Sequence, residues 1–353
     1  MKEPSFSICI PNFNYGKYIG TTIQSVLEQT YKNFEIVVVD NASTDDSVKV
    51  IESFGSDRIR LYRNRVNVGF APNLQRATER ARNEFVILLS SDDVMHRDAL
   101  ETYANVLTSR RERAQQTVLY SAVDTIGPQG ELRSVQYKPG GAYHFEEVPS
   151  DRLASLVFDG QAEVQSGLDV LHWTLKSWQA AGAFCATCYP RRLWEEVEGY
   201  DVAYQFGPDS VFLHKLLKLN CDYVYVAKRL FQYRVHPSNQ TATAAAQGAL
   251  RAQLDGYIRT INYSNDLLSV AGVSRESMQR SYVERMCAIP ALKALADGCW
   301  VEAFRIFSFG LATHPTQTLR SKTAVAAAGA LALGPLGILM CRAARSAKRK
   351  AAN

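Results

Sequence analysis

The run Phe85-Val-Ile-Leu-Leu-Ser-Ser-Asp-Asp93 leads five apolar residues into two serines and then sets two carboxylates side by side. Adjacent carboxylates repel each other unless a cation or protons neutralise them, and Mg2+ or Mn2+ shared with substrate phosphates is a common solution. The competing reading is structural, with Asp92 or Asp93 capping a helix that includes Ala99 to Leu107. Cys185-Ala-Thr-Cys188 is the one close cysteine pair, and without a second pair or nearby histidines it reads as core rather than as a zinc or redox site.

A strand must aim that acidic pair, and the first hundred residues supply the rhythm for one. Phe6 to Ile10 is a short apolar run, Ile19, Ile23, Val26 and Leu27 recur at helical spacing, and Phe34 to Val39 is dense in β-branched residues. Asp45 to Phe54 then reads as a helix, Arg58 to Tyr62 as a strand, Pro72 to Arg82 as a helix opened by proline, and Phe85 to Leu89 as a buried strand. The alternation predicts βαβ units on a largely parallel sheet, whose ligands bind beyond the carboxyl ends of the strands. Polar clusters fall at four such ends: Pro11-Asn-Phe-Asn14, Asp40-Asn-Ala-Ser-Thr-Asp45, Arg63 to Gly69, and Asp92-Asp93. Solvated turns explain each cluster singly but not their joint placement.

From Thr117 to Trp178 the pattern weakens, with turn signals at Gly127-Pro128 and Pro139-Gly-Gly141, which suits a variable substrate-facing region. Pro190 to Val197 and Asp209 to Leu219 read as helices, and Tyr223 to Ala227 and Leu230 to Val235 as two strand-like stretches. The chain is alanine-rich and helical from Thr241 onward.

In order and spacing, Phe6 to Asn14, Ile19 to Tyr31, Glu35 to Asp45, Asn67-Val-Gly-Phe-Ala-Pro-Asn73 and Ser90-Ser-Asp-Asp93 resemble the family 2 glycosyltransferases. Glu198-Gly-Tyr-Asp201, Pro208 to Leu216 and Tyr233 to Thr241 continue the match, which spans roughly residues 5 to 241. The resemblance implies an α/β chain of GT-A (Rossmann-like) fold, a mixed and largely parallel sheet flanked by helices, followed here by a helical C-terminal extension. It divides the chain into a nucleotide-sugar-binding part (1–116), an acceptor-binding part that carries the base (117–241) and a helical region with an apolar and basic end (242–353).

What the resemblance implies for the site is an inverting, metal-dependent transfer from a nucleotide-diphosphate sugar to a hydroxyl of a glycan or lipid-linked acceptor. Pro11, Asn12, Asn14, Asp40, Asn67, Asn73 and Asp92 become nucleotide-binding positions. Asp40 would accept from the base, since a carboxylate only accepts, and Asp92 would contact the ribose. Asp93 would hold the divalent metal, Mn2+ or Mg2+, joined by His236, whose imidazole suits Mn2+ better. Asp209 would be the general base, although its place beside Pro208 also fits a helix cap. Three positions depart from the family pattern. Ser90 stands where many relatives carry an acid, Pro72 where many carry arginine, and Pro208 where an acid often precedes the base. A sugar nucleotidyltransferase would share the sheet but should carry a Gly-rich, basic loop after its first strand, where this chain has Pro11-Asn-Phe-Asn-Tyr-Gly16. A non-catalytic nucleotide- or glycan-binding relative would be expected to lose the acidic pair or the base, and both are filled.

The totals narrow the partners. The net charge of +5 hides an asymmetry: no acid follows Glu302, eight cations do, and the first 302 residues carry 32 cations against 35 acids. A nucleic-acid surface on the main domain is thereby excluded. Residues 323–341 hold nineteen residues without a charge, interrupted by Gly334-Pro335, and Arg342 to Lys350 follow. That pattern predicts a re-entrant or interfacial contact with anionic lipid, against the alternative of a buried helix with a solvated basic end. Seven cysteines, odd in number and spread through apolar runs, together with an N-terminus that leads straight into a strand, predict a cytoplasmic protein, and the C-terminal pattern with the family resemblance implies the inner face of a membrane.

Overall fold

A computed structural model describes residues 3–204, 207–239 and 250–351. The alternation reads out as β1 (Phe6–Asn12), α1 (Gly16–Leu27), β2 (Phe34–Asp40), α2 (Ser47–Ser53), β3 (Ile59–Arg63), α3 (Phe70–Glu79) and β4 (Phe85–Leu88). β1, β2 and β4 are buried almost along their whole length, which is why they appear in the sequence as unbroken apolar runs rather than as alternating patterns. β5 (Val94–Met95), α4 (Ala99–Arg110), β6 (Thr117–Ile126), β7 (Leu132–Tyr137), β8 (Glu146–Pro149), β9 (Ala162–Ser166) and α5 (Gly167–Ser177) follow. β10 (Cys188–Pro190), α6 (Arg191–Glu196), α7 (Pro208–Lys218) and β11 (Asp222–Arg234) complete the sheet region.

The sheet runs β3-β2-β1-β4-β10-β6-β11-β5. Its first four strands are parallel; β10 is antiparallel to both β4 and β6, and β11 is parallel to β6. This is the expected mixed, largely parallel architecture. The two-residue β5 pairs with Gln232 and Phe231 of β11, so the chain leaves β4, passes through Asp92-Asp93 and lands on the opposite side of the sheet. The acidic pair therefore sits on a crossing between the two halves, not at a helix start. The helix after it is capped at Asp98, which removes the capping alternative for Asp92 and Asp93.

Two readings change on the structure. The two stretches expected at 223–227 and 230–235 are one strand, β11, whose register against β6 shifts between Val226 and Arg229 and again before Phe231. A bulge of this kind bends a strand without ending it, so a break in the apolar pattern was not a break in the element. The weak pattern after Thr117 conceals β6, buried at all ten positions. Its Ser121, Asp124 and Thr125 interrupt the apolar run, but Asp124 is satisfied by the Arg229 guanidinium (Nη2 at 3.0 Å) and by His96 Nε2 at 2.9 Å.

The chain divides into two compact units, Met1–Leu171 with Ala180–His236, and His172–Gln179 with Pro237–Asn353. In the second, helices at Leu250–Asn262, Asn265–Val270, Arg275–Tyr282, Ile289–Ala296, Trp300–Thr313, Pro315–Arg320, Lys322–Ala332 and Pro335–Ala351 gather around Tyr282, Val283, Ala291, Leu295 and Ile306. The opening of the alanine-rich stretch at Thr241 lies outside the described residues. Gly334, at φ +55°, separates the last two helices, as the Gly-Pro pair predicts. Among the described residues no helix is long and apolar enough to cross a membrane.

Candidate active site

Parallel register brings Asn12, the last residue of β1, opposite Asp40, the last residue of β2. Both are buried. Asn12 Nδ2 donates to Asp40 Oδ1 at 2.8 Å, and the Ser43 N–H donates to Asp40 Oδ2 at 3.0 Å. Each carboxylate oxygen keeps a further lone pair for an incoming donor. The loop that supplies the Ser43 N–H holds Ala42 in the left-handed region at φ +61°, a conformation that costs a non-glycine residue about 1–2 kcal/mol. Asn14 pins it from the β1 side: its N–H donates to Ser43 Oγ and its Oδ1 accepts from the Thr44 N–H at 2.8 Å. Strain of this size persists only where surrounding bonds over-determine the loop. Asn12 Oδ1 is buried with no hydrogen-bond partner among the described residues.

The loop after β3 is fixed by amide side chains. Asn41 Nδ2 donates to Asn67 Oδ1 (2.7 Å), and Asn41 Oδ1 accepts from Asn64 Nδ2 and the Val68 N–H, both at 2.9 Å. Asn64 Nδ2 also donates to Asn73 Oδ1, and Asn73 Nδ2 donates to the Val39 carbonyl. Asn67 and Asn73, singled out in the sequence, are thus joined to each other through Asn41 and Asn64, which were not. Asn41 directly follows the β2 carboxylate and Asn64 directly follows β3, so each stands at a strand end where such a residue could have been sought.

The acidic turn is carried by α1. Thr22 Oγ1 donates to the carbonyls of Ser91 and Asp93, at 2.9 and 2.8 Å, and Ser25 Oγ accepts from the Met95 N–H. Gln29, just past the helix, donates to the His96 carbonyl and accepts from the Leu100 N–H. These polar residues, at spacings of three and four, share a buried face with Ile19, Ile23 and Val26; the apolar spacing was legible, and the polar positions between were the missed signal. Ser91 Oγ ties the turn to the Pro11 carbonyl at 2.9 Å, which brings Pro11 into the same assembly.

Asp92 and Asp93 are both buried, and their environments differ. Asp92 Oδ2 meets His236 Nε2 at 3.0 Å. Asp93 Oδ1 accepts from the Arg234 N–H at 2.9 Å, while its Oδ2 is buried with no hydrogen-bond partner among the described residues. Burial, reinforced by the charge of Asp92, raises the Asp93 carboxyl well above the usual range; Ser90 and the Cys185 thiol lie close enough to ease its charge without closing a bond on Oδ2. Burial also raises Asp92, opposed by the hydrogen bond and charge of His236. The Tyr15 phenol is pushed up by burial and by both acids, so it stays neutral.

A buried carboxylate oxygen without a partner, next to a like charge, fits a divalent cation. Among the described residues no group of three or more His, Cys, Asp or Glu is arranged to hold one. His236 Nε2 is turned onto Asp92, so ligation of a metal through that nitrogen would require it to leave the carboxylate. The ring packs against Tyr18 and Tyr15, with centroids 4.7 and 5.7 Å away, and the Arg234 guanidinium covers the other end of the turn, donating to the carbonyls of Asp92 and Gly127. Arg234 escaped the sequence reading, although a cation two residues before His236 in a buried strand is a visible anomaly.

Asp209 enters none of these hydrogen bonds. It is the second residue of α7, whose cap is Gly207 in the left-handed conformation at φ +58°; the capping alternative for Asp209 therefore falls away. The segment that leads to it includes 205–206, outside the described residues.

A half-sheet of parallel strands with polar residues at its carboxyl ends, an acidic crossing and an antiparallel junction to a second half make up the GT-A architecture. Residues 7–141 match the profile of Glycosyl transferase family 2. It is 30% identical over 177 residues to the amylovoran biosynthesis glycosyltransferase AmsB of Erwinia amylovora, covering 48% of this chain and 56% of that protein. To the glycosyltransferase GlyA of Streptococcus pneumoniae it is 24% identical over 234 residues, 66% of this chain and 31% of that one. The chain thus spans about half or less of the length of these relatives. Among solved structures, residues 1–349 of S. aureus TarS superpose with a TM-score of 0.55 at 16% identity, over 96% of this chain and 89% of that one, and the fold is shared. TarS has also been solved in complex with UDP-GlcNAc (TM-score 0.54, 15% identity, the same coverage).

Proposed function

We propose that this protein is a glycosyltransferase that moves a sugar from a uridine diphosphate sugar to a hydroxyl of a saccharide acceptor, with inversion, in the assembly of a surface polysaccharide. The observation that carries the reading is the pairing of Asp40, braced with open lone pairs at one strand end, with the unpartnered Asp93 Oδ2 at another. Asp40 suits the imide N–H of uracil, and the UDP-GlcNAc complex of TarS and the polysaccharide named for AmsB support the donor and acceptor classes.

Asp93 would hold a divalent cation together with the diphosphate oxygens, and the bound cation supplies neutralisation of the negative charge that builds on the leaving diphosphate. The rest is carried by the chain. Thr22, Ser91 and Arg234 hold the acidic turn at the end of β4, and His236 holds Asp92 by a hydrogen bond, oriented toward the ribose. Asp209 takes the proton of the acceptor hydroxyl as its oxygen bonds to the anomeric carbon and the bond from that carbon to the diphosphate oxygen breaks. No covalent sugar–enzyme intermediate is formed.

Incubation with α-linked UDP-sugars and oligosaccharide acceptors, followed by 1H NMR of the anomeric region, tests the reading. A β-linked product is expected. An α-linked product would overturn inversion and the base role of Asp209, and the absence of consumption of any UDP-sugar would overturn the donor class.

A further inference from the structure

The second compact unit presents an apolar surface that its own packing leaves uncovered. Ten of the twenty exposed large apolar residues among the described residues fall between Trp300 and Met340, which is a concentration rather than scattered single exposures. In the helix Pro335–Ala351, the exposed large apolar residues Leu336, Leu339 and Met340 lie three and four positions apart, so they share one face. The opposite side of that helix is occupied: Ile338 and Cys341 pack on the unit's core, Arg342 Nε donates to the Ala296 carbonyl at 2.9 Å and Arg345 pairs with Asp297 at 2.5 Å. The arginines thus clamp the helix inward and turn its apolar stripe outward. Trp300, stacked on Phe304 with ring centroids 5.4 Å apart, donates its Nε1–H to the Leu331 carbonyl, two residues before the exposed Leu333. Through that bond the aromatic pair meets the end of the helix that feeds the stripe.

We infer that this face, built from Leu336, Leu339 and Met340, together with the exposed Trp300–Phe304 pair bonded to the preceding helix, docks on a membrane surface carrying anionic phosphate head groups. Charge selects this occupant. Residues 237–353 hold fourteen Lys and Arg against six Asp and Glu, a net of +8, and the sequence places Lys348, Arg349 and Lys350 in the last turn of the same helix. A second copy on the same face would set this excess against itself with no acid after Glu302 to answer it, whereas an anionic bilayer accepts both the apolar stripe and the cations. The contact is shallow, since no described helix is long and apolar enough to span. The residues carrying it are the stripe and the aromatic pair, with Arg342 and Arg345 serving as clamps. This surface stands independently of the catalytic reading.

Sedimentation of the full chain with vesicles of phosphatidylcholine alone, or mixed with phosphatidylglycerol, tests it. Binding is expected only with phosphatidylglycerol, weakening as salt rises, and falling by about tenfold or more in Leu339→Ser/Met340→Ser. The paired Lys348→Glu/Lys350→Glu variant should lose binding as well, so the test survives if the first variant folds poorly. Both keep their UDP affinity if the face acts as inferred. No sedimentation with anionic vesicles, or binding unchanged in both variants, would overturn the inference; so would a dimer in solution that Leu339→Ser/Met340→Ser dissolves.

Discussion

Replacing Asp93 by asparagine is expected to make the metal-free protein more stable while abolishing divalent-metal binding. The carboxyl is buried beside Asp92 with one oxygen unpartnered, and its proton affinity is raised by burial first and by its neighbour second. A folded-state pKa above the unfolded value means that the folded protein retains a proton which the unfolded chain has released. Between those two values stability therefore falls as pH rises. Asparagine keeps the acceptor used by the Arg234 N–H and removes the charge. The gain should be about 0.5–2 kcal/mol near neutral pH, the scale of relieving strain at a functional site, and should shrink toward pH 5. Thermal unfolding with and without Mn2+ checks it: added metal should raise the melting temperature of the wild type alone. A variant less stable than the metal-free wild type at neutral pH would show that Asp93 is a structural acid.

Asp209→Asn should reduce turnover by about 10²–10⁴-fold with UDP affinity unchanged, because a positioned base contributes on that scale and acts only after the donor is bound. Asp209 lies in the first turn of α7 without being its cap. Loss of a carboxylate there costs about 0.3–1 kcal/mol of stability through the helix dipole alone. The two roles separate in kinetics: a base loss lowers kcat and removes the acid limb of the pH–rate profile, whereas a helix-end loss leaves both unchanged and lowers the melting temperature.

The half of the molecule nearest the donor was the most legible, for a physical reason. Strands buried on both faces must be written as apolar runs, and polar residues at their carboxyl ends have no packing duty, so Asn12, Asp40 and the Asp92-Asp93 pair stood out. The residues that hold them did not. Thr22, Ser25 and Gln29 are buried polar groups inside an amphipathic pattern, and their role depends on backbone carbonyls and N–H groups 67 to 71 positions away that no local spacing reveals. β6 was hidden by Asp124, whose charge makes sense only once Arg229 and His96 are beside it. His236 lies beside the acidic turn, hydrogen-bonded to Asp92, a choice between two adjacent carboxylates that sequence does not encode. The apolar stretch 323–341 announced itself, yet only the folded helices show which of its side chains the core leaves outside.

Calorimetric titration of UDP into the protein with and without Mn2+, with Asp93→Asn alongside, tests the central claim most directly. The account predicts that UDP binds the wild type with metal, binds at least about tenfold more weakly without it, and shows no metal dependence in the variant. Equal UDP affinity with and without metal, unchanged in Asp93→Asn, would contradict the role given to the acidic turn, and no UDP binding under any condition would contradict the nucleotide-sugar reading itself.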